Sequence, residues 1–125
     1  MRLKLHKLKI RRDGMKKKFS QVYQFKITLK DTKPPVWRRI QVPETYTFWD
    51  LHIAIQDVMG WLDYHLHEFE LINPRTGLNV EIGFPDDEFG KKILAGWSQK
   101  IADYFNMENS MANYVYDFGD FGSIK

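Results

Sequence analysis

Three groups of residues in this chain carry side chains that could do chemistry. His65 and His67 are two apart, and alternate residues of a strand point the same way, so both imidazoles could meet one divalent metal ion. The bland alternative is a pair of histidines at a strand entrance, one hydrogen-bonded and one wet. Asp117 and Asp120, in Tyr116-Asp117-Phe118-Gly119-Asp120, place two carboxylates around a glycine. That suits a hard cation or acid–base work, and equally a strand-ending turn. A joint metal centre of His65, His67, Asp117 and Asp120 requires the last strand to lie near the 62–67 loop. Trp37-Arg38-Arg39 puts Trp37 and Arg39 at one strand parity, where indole and guanidinium could bind an anion or stack on a base. Arg38 shares the other parity with Val36 and Ile40, and a buried-side arginine of this kind is expected to pair with a carboxylate, Asp117 or Asp50. Trp37, Arg39, His65, His67 and Asp117 are therefore the candidate ligand-binding residues.

Composition narrows what these groups can belong to. With 125 residues, 43% hydrophobic and 28% charged, the chain reads as one globular domain with an ordinary core. The absence of cysteine excludes a disulfide scaffold, a thiolate zinc site and a cysteine nucleophile. No apolar run approaches the ~18 residues of a membrane span, and the start has no apolar signal-peptide core, so a cytoplasmic protein without membrane contact is expected. No glycine-rich phosphate loop, nucleophile elbow or His-Glu-x-x-His helix is present. No cofactor is expected beyond the divalent metal that the His/Asp cluster would take. The net charge of +3 hides an asymmetry: residues 1–18 carry nine Lys/Arg and one acid, net +8, and residues 19–125 are net −5. Lys4, Lys7, Lys9, Arg11, Arg12, Lys16, Lys17 and Lys18 could neutralise phosphates of a nucleic acid or meet an acidic protein partner. The plainer reading is a solubilising segment.

The elements that must position these groups follow from periodicity. In the basic segment Leu3 and Leu5, then Leu8 and Ile10, alternate with one slip, which allows an edge strand, a short amphipathic helix or a flexible arm. Residues 1–19 are thus expected to be an extension and residues 20–125 a single domain. Tyr23, Phe25, Ile27 and Leu29 alternate with polar residues, a strand with one wet face. The turn at Asp31–Pro35 returns it as Val36–Val42, an antiparallel hairpin. Thr47 and Asp50 form a capping box for a helix with Phe48, Leu51, Ile55, Val58, Met59 and Leu62 on one face, and Gly60 ends it. Trp49 and Ile53 lie off that face. Two further strands are expected: His67–Ile72, with Phe69 and Leu71 inward and Glu68 and Glu70 outward, and the returning Leu78, Val80 and Ile82. A helix start at Pro85–Glu88, a short helix over 98–105 and a final strand at Tyr114–Phe118 complete the reading. The expected fold is α+β: a β-grasp-like mixed sheet of about five strands with one main helix packed across it.

Several stretches together resemble a known family. They are Tyr23–Asp31, Lys33-Pro34-Pro35-Val36-Trp37-Arg38-Arg39-Ile40, Leu51-His52, Met59-Gly60-Trp61, His65-Leu66-His67-Glu68-Phe69 and Tyr116-Asp117-Phe118-Gly119-Asp120. The combination, over about residues 21–120, resembles the Ri-plasmid ORF-three-like family of plasmids, mobile elements and prokaryotic chromosomes. The resemblance implies no established activity; some members carry labels such as transposon resolvase or are fused to a DNA-binding domain. The family pattern continues past Asp-Phe-Gly-Asp with a Trp and a His, where this chain reads Phe121-Gly122-Ser123-Ile124-Lys125, so the domain is expected to be truncated there. The leading expectation is a small non-catalytic binding or interaction module. Its rivals are a metal-assisted enzyme using the His/Asp cluster and a nucleic-acid binder working through the basic arm.

Overall fold

The computed structural model describes residues 2–12, 21–62, 66–85 and 92–116. In chain order these form β1 (Arg2–Arg12), β2 (Gln21–Leu29), β3 (Val36–Pro43), helix α1 (Phe48–Met59), β4 (His67–Ile72), β5 (Asn79–Gly83), β6 (Leu94–Ala95) and β7 (Met111–Tyr116). The strands make one sheet in the order β3-β2-β1-β7-β4-β5-β6. Neighbours pair antiparallel except β5 and β6, which are parallel. The α+β class holds. The expected sheet of about five strands is corrected to seven, because β1 joins between β2 and β7 and β6 adds to the far edge. Among the described residues no helix is long and apolar enough to cross a membrane.

As far as Arg12 the basic segment is a strand and not an arm: over Arg2–His6 it is interior, paired with both β2 and β7, and from Lys9 to Arg12 its register is with β2. Leu3 faces Leu29 on one side and Tyr114 on the other, and Leu5 faces Ile27 and Ala112. Both leucines are fully buried. The slip in alternation is a β-bulge, since Lys7 pairs with Phe25 and Lys9 with Gln24, leaving Leu8 as the extra residue. Residues 13–20 lie outside the described residues.

One face of the sheet carries the core. Tyr23, Phe25 and Ile27 of β2, Phe69 and Leu71 of β4, Ile82 of β5 and Tyr114 of β7 are buried beneath Phe48, Leu51 and Ile55 of α1. Phe48 is the hub, with ring centroids 5.1 Å from Phe69, 5.3 Å from Tyr104 and 5.9 Å from Phe105. The helix starts and stops where its sequence dictates. Asp50 N–H donates to the Thr47 hydroxyl and Thr47 N–H donates to the Asp50 carboxylate. Gly60 closes the helix at φ 73°, a left-handed conformation that glycine adopts without steric cost. Leu62, expected on the helical face, is 69% exposed because the chain has already left the helix at Gly60.

Two other expectations change. The helix over 98–105 is replaced by two 3-10 turns, Gly96–Ser98 and Ile101–Asp103. Between them the chain runs extended and pairs with the approach to α1: Phe48 N–H donates to Gln99 C=O at 2.9 Å and Ile101 N–H to Tyr46 C=O at 3.0 Å. Ile101, Tyr104 and Phe105 are nonetheless buried, as their apolar pattern requires. Glu68, expected in solvent beside Glu70, is only 2% exposed. It stands between Val115 and Gly83 in the register, and Val115 is buried on the same face. The expected helix start after Pro85 and the strand beyond Tyr116 lie outside the described residues.

If β1 is integral, a chain lacking residues 1–18 loses its cooperative unfolding transition in calorimetry, whereas a flexible arm could be removed without effect. The milder Leu5→Ala exchange is expected to cost about 2–5 kcal/mol, the range for truncating a fully buried leucine.

Candidate functional site

The face of the sheet turned away from α1 is built by the alternate residues of each strand. Cross-strand register aligns Trp37 of β3 with Thr28 of β2 and Lys4 of β1 in one row. The adjacent row is Arg39, Lys26 and His6. Trp37 is 45% exposed, with the Lys26 ammonium 5.1 Å and the Arg39 guanidinium 5.4 Å from its ring centroid. These are cation–π distances, and they hold a large apolar side chain at the surface between two positive charges. Gln41 Nε2 donates to Gln24 Oε1 at 3.2 Å beside them.

Charge is divided across the sheet. Strands β1, β2 and β3 contain nine Lys/Arg and no Asp or Glu. Strands β4 and β5 contain three acids, Glu68, Glu70 and Glu81, and no Lys or Arg. The carboxylates of these three come within 4.8 Å of one another. Arg2 Nη1 meets Glu70 Oε1 at 3.7 Å where the two halves join.

The opposite face holds a buried polar centre. His52 of α1 and His67 of β4 stack with ring centroids 3.5 Å apart and planes 7° apart. His52 is fully buried and His67 is 3% exposed. His52 Nδ1 lies 2.7 Å from the Tyr114 hydroxyl, which also accepts from Gln56 Nε2 at 2.8 Å. Trp49 flanks both imidazoles, at 5.1 Å from His52 and 5.8 Å from His67. Burial, reinforced by the neighbouring His52, pushes His67 down to about 3, so it is neutral at physiological pH. Parallel rings at this separation keep their nitrogen lone pairs in parallel planes, so His52 and His67 cannot converge on one ion.

Of the residues named from sequence, the structure brings Trp37 and Arg39 together on the exposed face and places His67 on the core face beneath α1. They do not form one surface. His65, Asp117 and Asp120 lie outside the described residues, as do Lys16, Lys17 and Lys18. Lys9, Arg11 and Arg12 belong to β1 by backbone alone. Lys4 is exposed, but Lys7 is 3% exposed and packs its ammonium 5.3 Å from the Tyr23 ring centroid. A phosphate contact for Lys7 is therefore corrected: its odd parity, shared with Leu3 and Leu5, turns it to the core side, and burial lowers its pKa. Arg38 has the predicted parity, opposite Ile27, yet it is exposed and donates to Trp37 C=O at 2.9 Å. Of the two expected partners, Asp50 is engaged in the helix cap and Asp117 lies outside the described residues; the position of Arg38 on an edge strand leaves it in water. Sequence reasoning missed Lys26, His52, Gln56 and Tyr114. His52 and Gln56 are four apart and adjacent to Leu51 and Ile55, so polar residues inside the helix's apolar stripe were the signal.

Residues 21–123 match the model of the family described as Plasmid pRiA4b ORF-3-like protein. The chain is 33% identical over 104 residues to "Uncharacterized protein y4hQ" of Sinorhizobium fredii (strain NBRC 101917 / NGR234), covering 81% of this chain and 50% of that relative. It is also similar to a solved structure, a protein of unknown function, MM3350, from Methanosarcina mazei Go1. There the identity is 53% and the TM-score 0.75, over 82% of this chain and 55% of that one. The chain thus spans about half the length of these relatives.

The buried histidine centre sets a pH dependence. His67 binds a proton near 6.5 when unfolded and only near 3 when folded, so below 6.5 the unfolded state holds more protons. Its contribution to stability is complete above pH 6.5 and is lost as pH falls toward 3. Between pH 5.5 and 4, where the unfolded imidazole is protonated and the folded one is not, denaturant titrations should show stability falling by about 1.4 kcal/mol per pH unit from this one group. His67→Phe should flatten that slope.

Proposed function

The chain belongs to the Plasmid pRiA4b ORF-3-like family, and we propose that this domain is a binding module that takes an anionic partner on the exposed face of β1, β2 and β3. The observation that carries this reading is the Trp37 indole held at the surface between Lys26 and Arg39. The strands that build this face contain no acid, so nothing within them neutralises the field. The acidic strands lie on the far side of β7 and would orient an anion away from themselves. Within β1 the basic segment contributes as part of the sheet, through Lys4.

The proposal is tested with inorganic polyphosphate as the anion. Binding is expected at low salt, with log affinity falling linearly in log salt at a slope of about −2 for the three cations Lys4, Lys26 and Arg39. A triple variant carrying Lys4→Glu, Lys26→Glu and Arg39→Glu should fold and lose the interaction. No binding at low salt, or unchanged binding by the triple variant, would overturn it.

A further inference from the structure

We infer that the anionic partner is a single-stranded nucleic acid, with one base stacked on Trp37 and its phosphates on Lys4, Lys26 and Arg39. This rests on the anion-binding reading and names its partner class. An acidic peptide needs only cations, and the surface offers more than cations. A 45% exposed indole on a strand is unfavourable to leave in water and serves a π-faced ligand well. The two aligned rows have the two functions such a ligand requires. Trp37, Thr28 and Lys4 provide a stacking platform, a hydrogen-bonding hydroxyl and a cation. Arg39 and Lys26, in one row with His6, provide the neighbouring cations about 7 Å along the strands, the spacing of alternate residues. Lys26 and Arg39 now rest against the indole, and both are long side chains that can swing from the ring to a phosphate as a base takes their place. Gln24 and Gln41 add amide groups able to meet base edges.

The geometry also disfavours duplex. The rows lie on a broad sheet face, not on a projecting helix or ribbon, so they have no means of entering a major groove. Unstacked bases of a single strand can instead turn their faces to the sheet. Stacking is tolerant of base identity, so weak sequence preference and strong salt dependence are expected.

The test compares three polyanions by fluorescence anisotropy at one low salt concentration: labelled oligodeoxythymidine of about 10 nucleotides, duplex of the same length, and polyglutamate. The single strand should bind tightest and quench tryptophan emission. Trp37→Ala, an exposed substitution whose fold is checked by circular dichroism, should weaken the single strand at least about fivefold, the lower end of one base–aromatic stack. Trp37→Phe should restore most of that loss, and the loss in Trp37→Ala should be larger for the single strand than for polyglutamate, which gains nothing from stacking. If polyglutamate or duplex binds as tightly as the single strand, or if Trp37→Ala leaves single-strand affinity unchanged, the single-strand inference falls while the anion-binding module stands. If none of the three polymers binds at low salt, both readings fall together.

Discussion

Strand β1 is bonded on both sides, to β2 and to β7, and the rest of the molecule depends on that double pairing. In an antiparallel sheet, successive residues direct their N–H and C=O groups alternately to the two neighbours. An interior strand therefore satisfies every backbone group only when both partners are present. Here one partner is the adjacent hairpin and the other is more than 100 residues away, with Leu3 opposite Tyr114. Without β1, the β2–β3 hairpin and the β7-β4-β5-β6 group would share no hydrogen-bonded edge in the observed order.

The same strand serves both faces. Its odd positions, Leu3 and Leu5, complete the floor on which α1 lies, and its even positions, Arg2 and Lys4, carry charge on the far side. The period of two that puts leucine in the core thus puts the cations beside Trp37 by the same geometry. Under α1, the His52–His67 stack and the Tyr114 hydroxyl fix the helix over β4 and β7 with directional contacts that an all-apolar interface would lack. Gly83 shows how closely β5 approaches β4 there. A Cβ at that position would lie 2.6 Å from His67 C=O, so any larger residue would force the strands apart.

Local chemistry was legible in the sequence wherever neighbours in the chain decide the outcome. Thr47, Asp50 and Gly60 bound the helix because caps act within one turn. Tyr23, Phe25 and Ile27 alternate because the hairpin buries one face. The break in the Leu3-Leu5-Leu8-Ile10 pattern marked the bulge, although its cause is visible only in the register with β2. What was not legible depends on distant pairing. Nothing near Arg2–Arg12 announces β7 as its partner, and a run of lysines reads equally well as an edge or a tail. Gln99 and Lys100 have ordinary helix propensity, yet their bonds to the Tyr46–Phe48 segment hold them extended. For the site, the parity of Trp37 and Arg39 placed them correctly on one face, while Lys26 joins them only through cross-strand register. His67 could be given its face but not its partner, because His52 comes from the helix above.

Native-state hydrogen exchange tests the central dependence on β1 most directly. The amides of residues 3–6 should exchange only through global unfolding, with the same opening free energy as those of Phe25 and Tyr114. Exchange of residues 3–6 at the rate of unprotected amides, with Phe25 still protected, would contradict the account by showing that the rest of the sheet stands without its inserted strand.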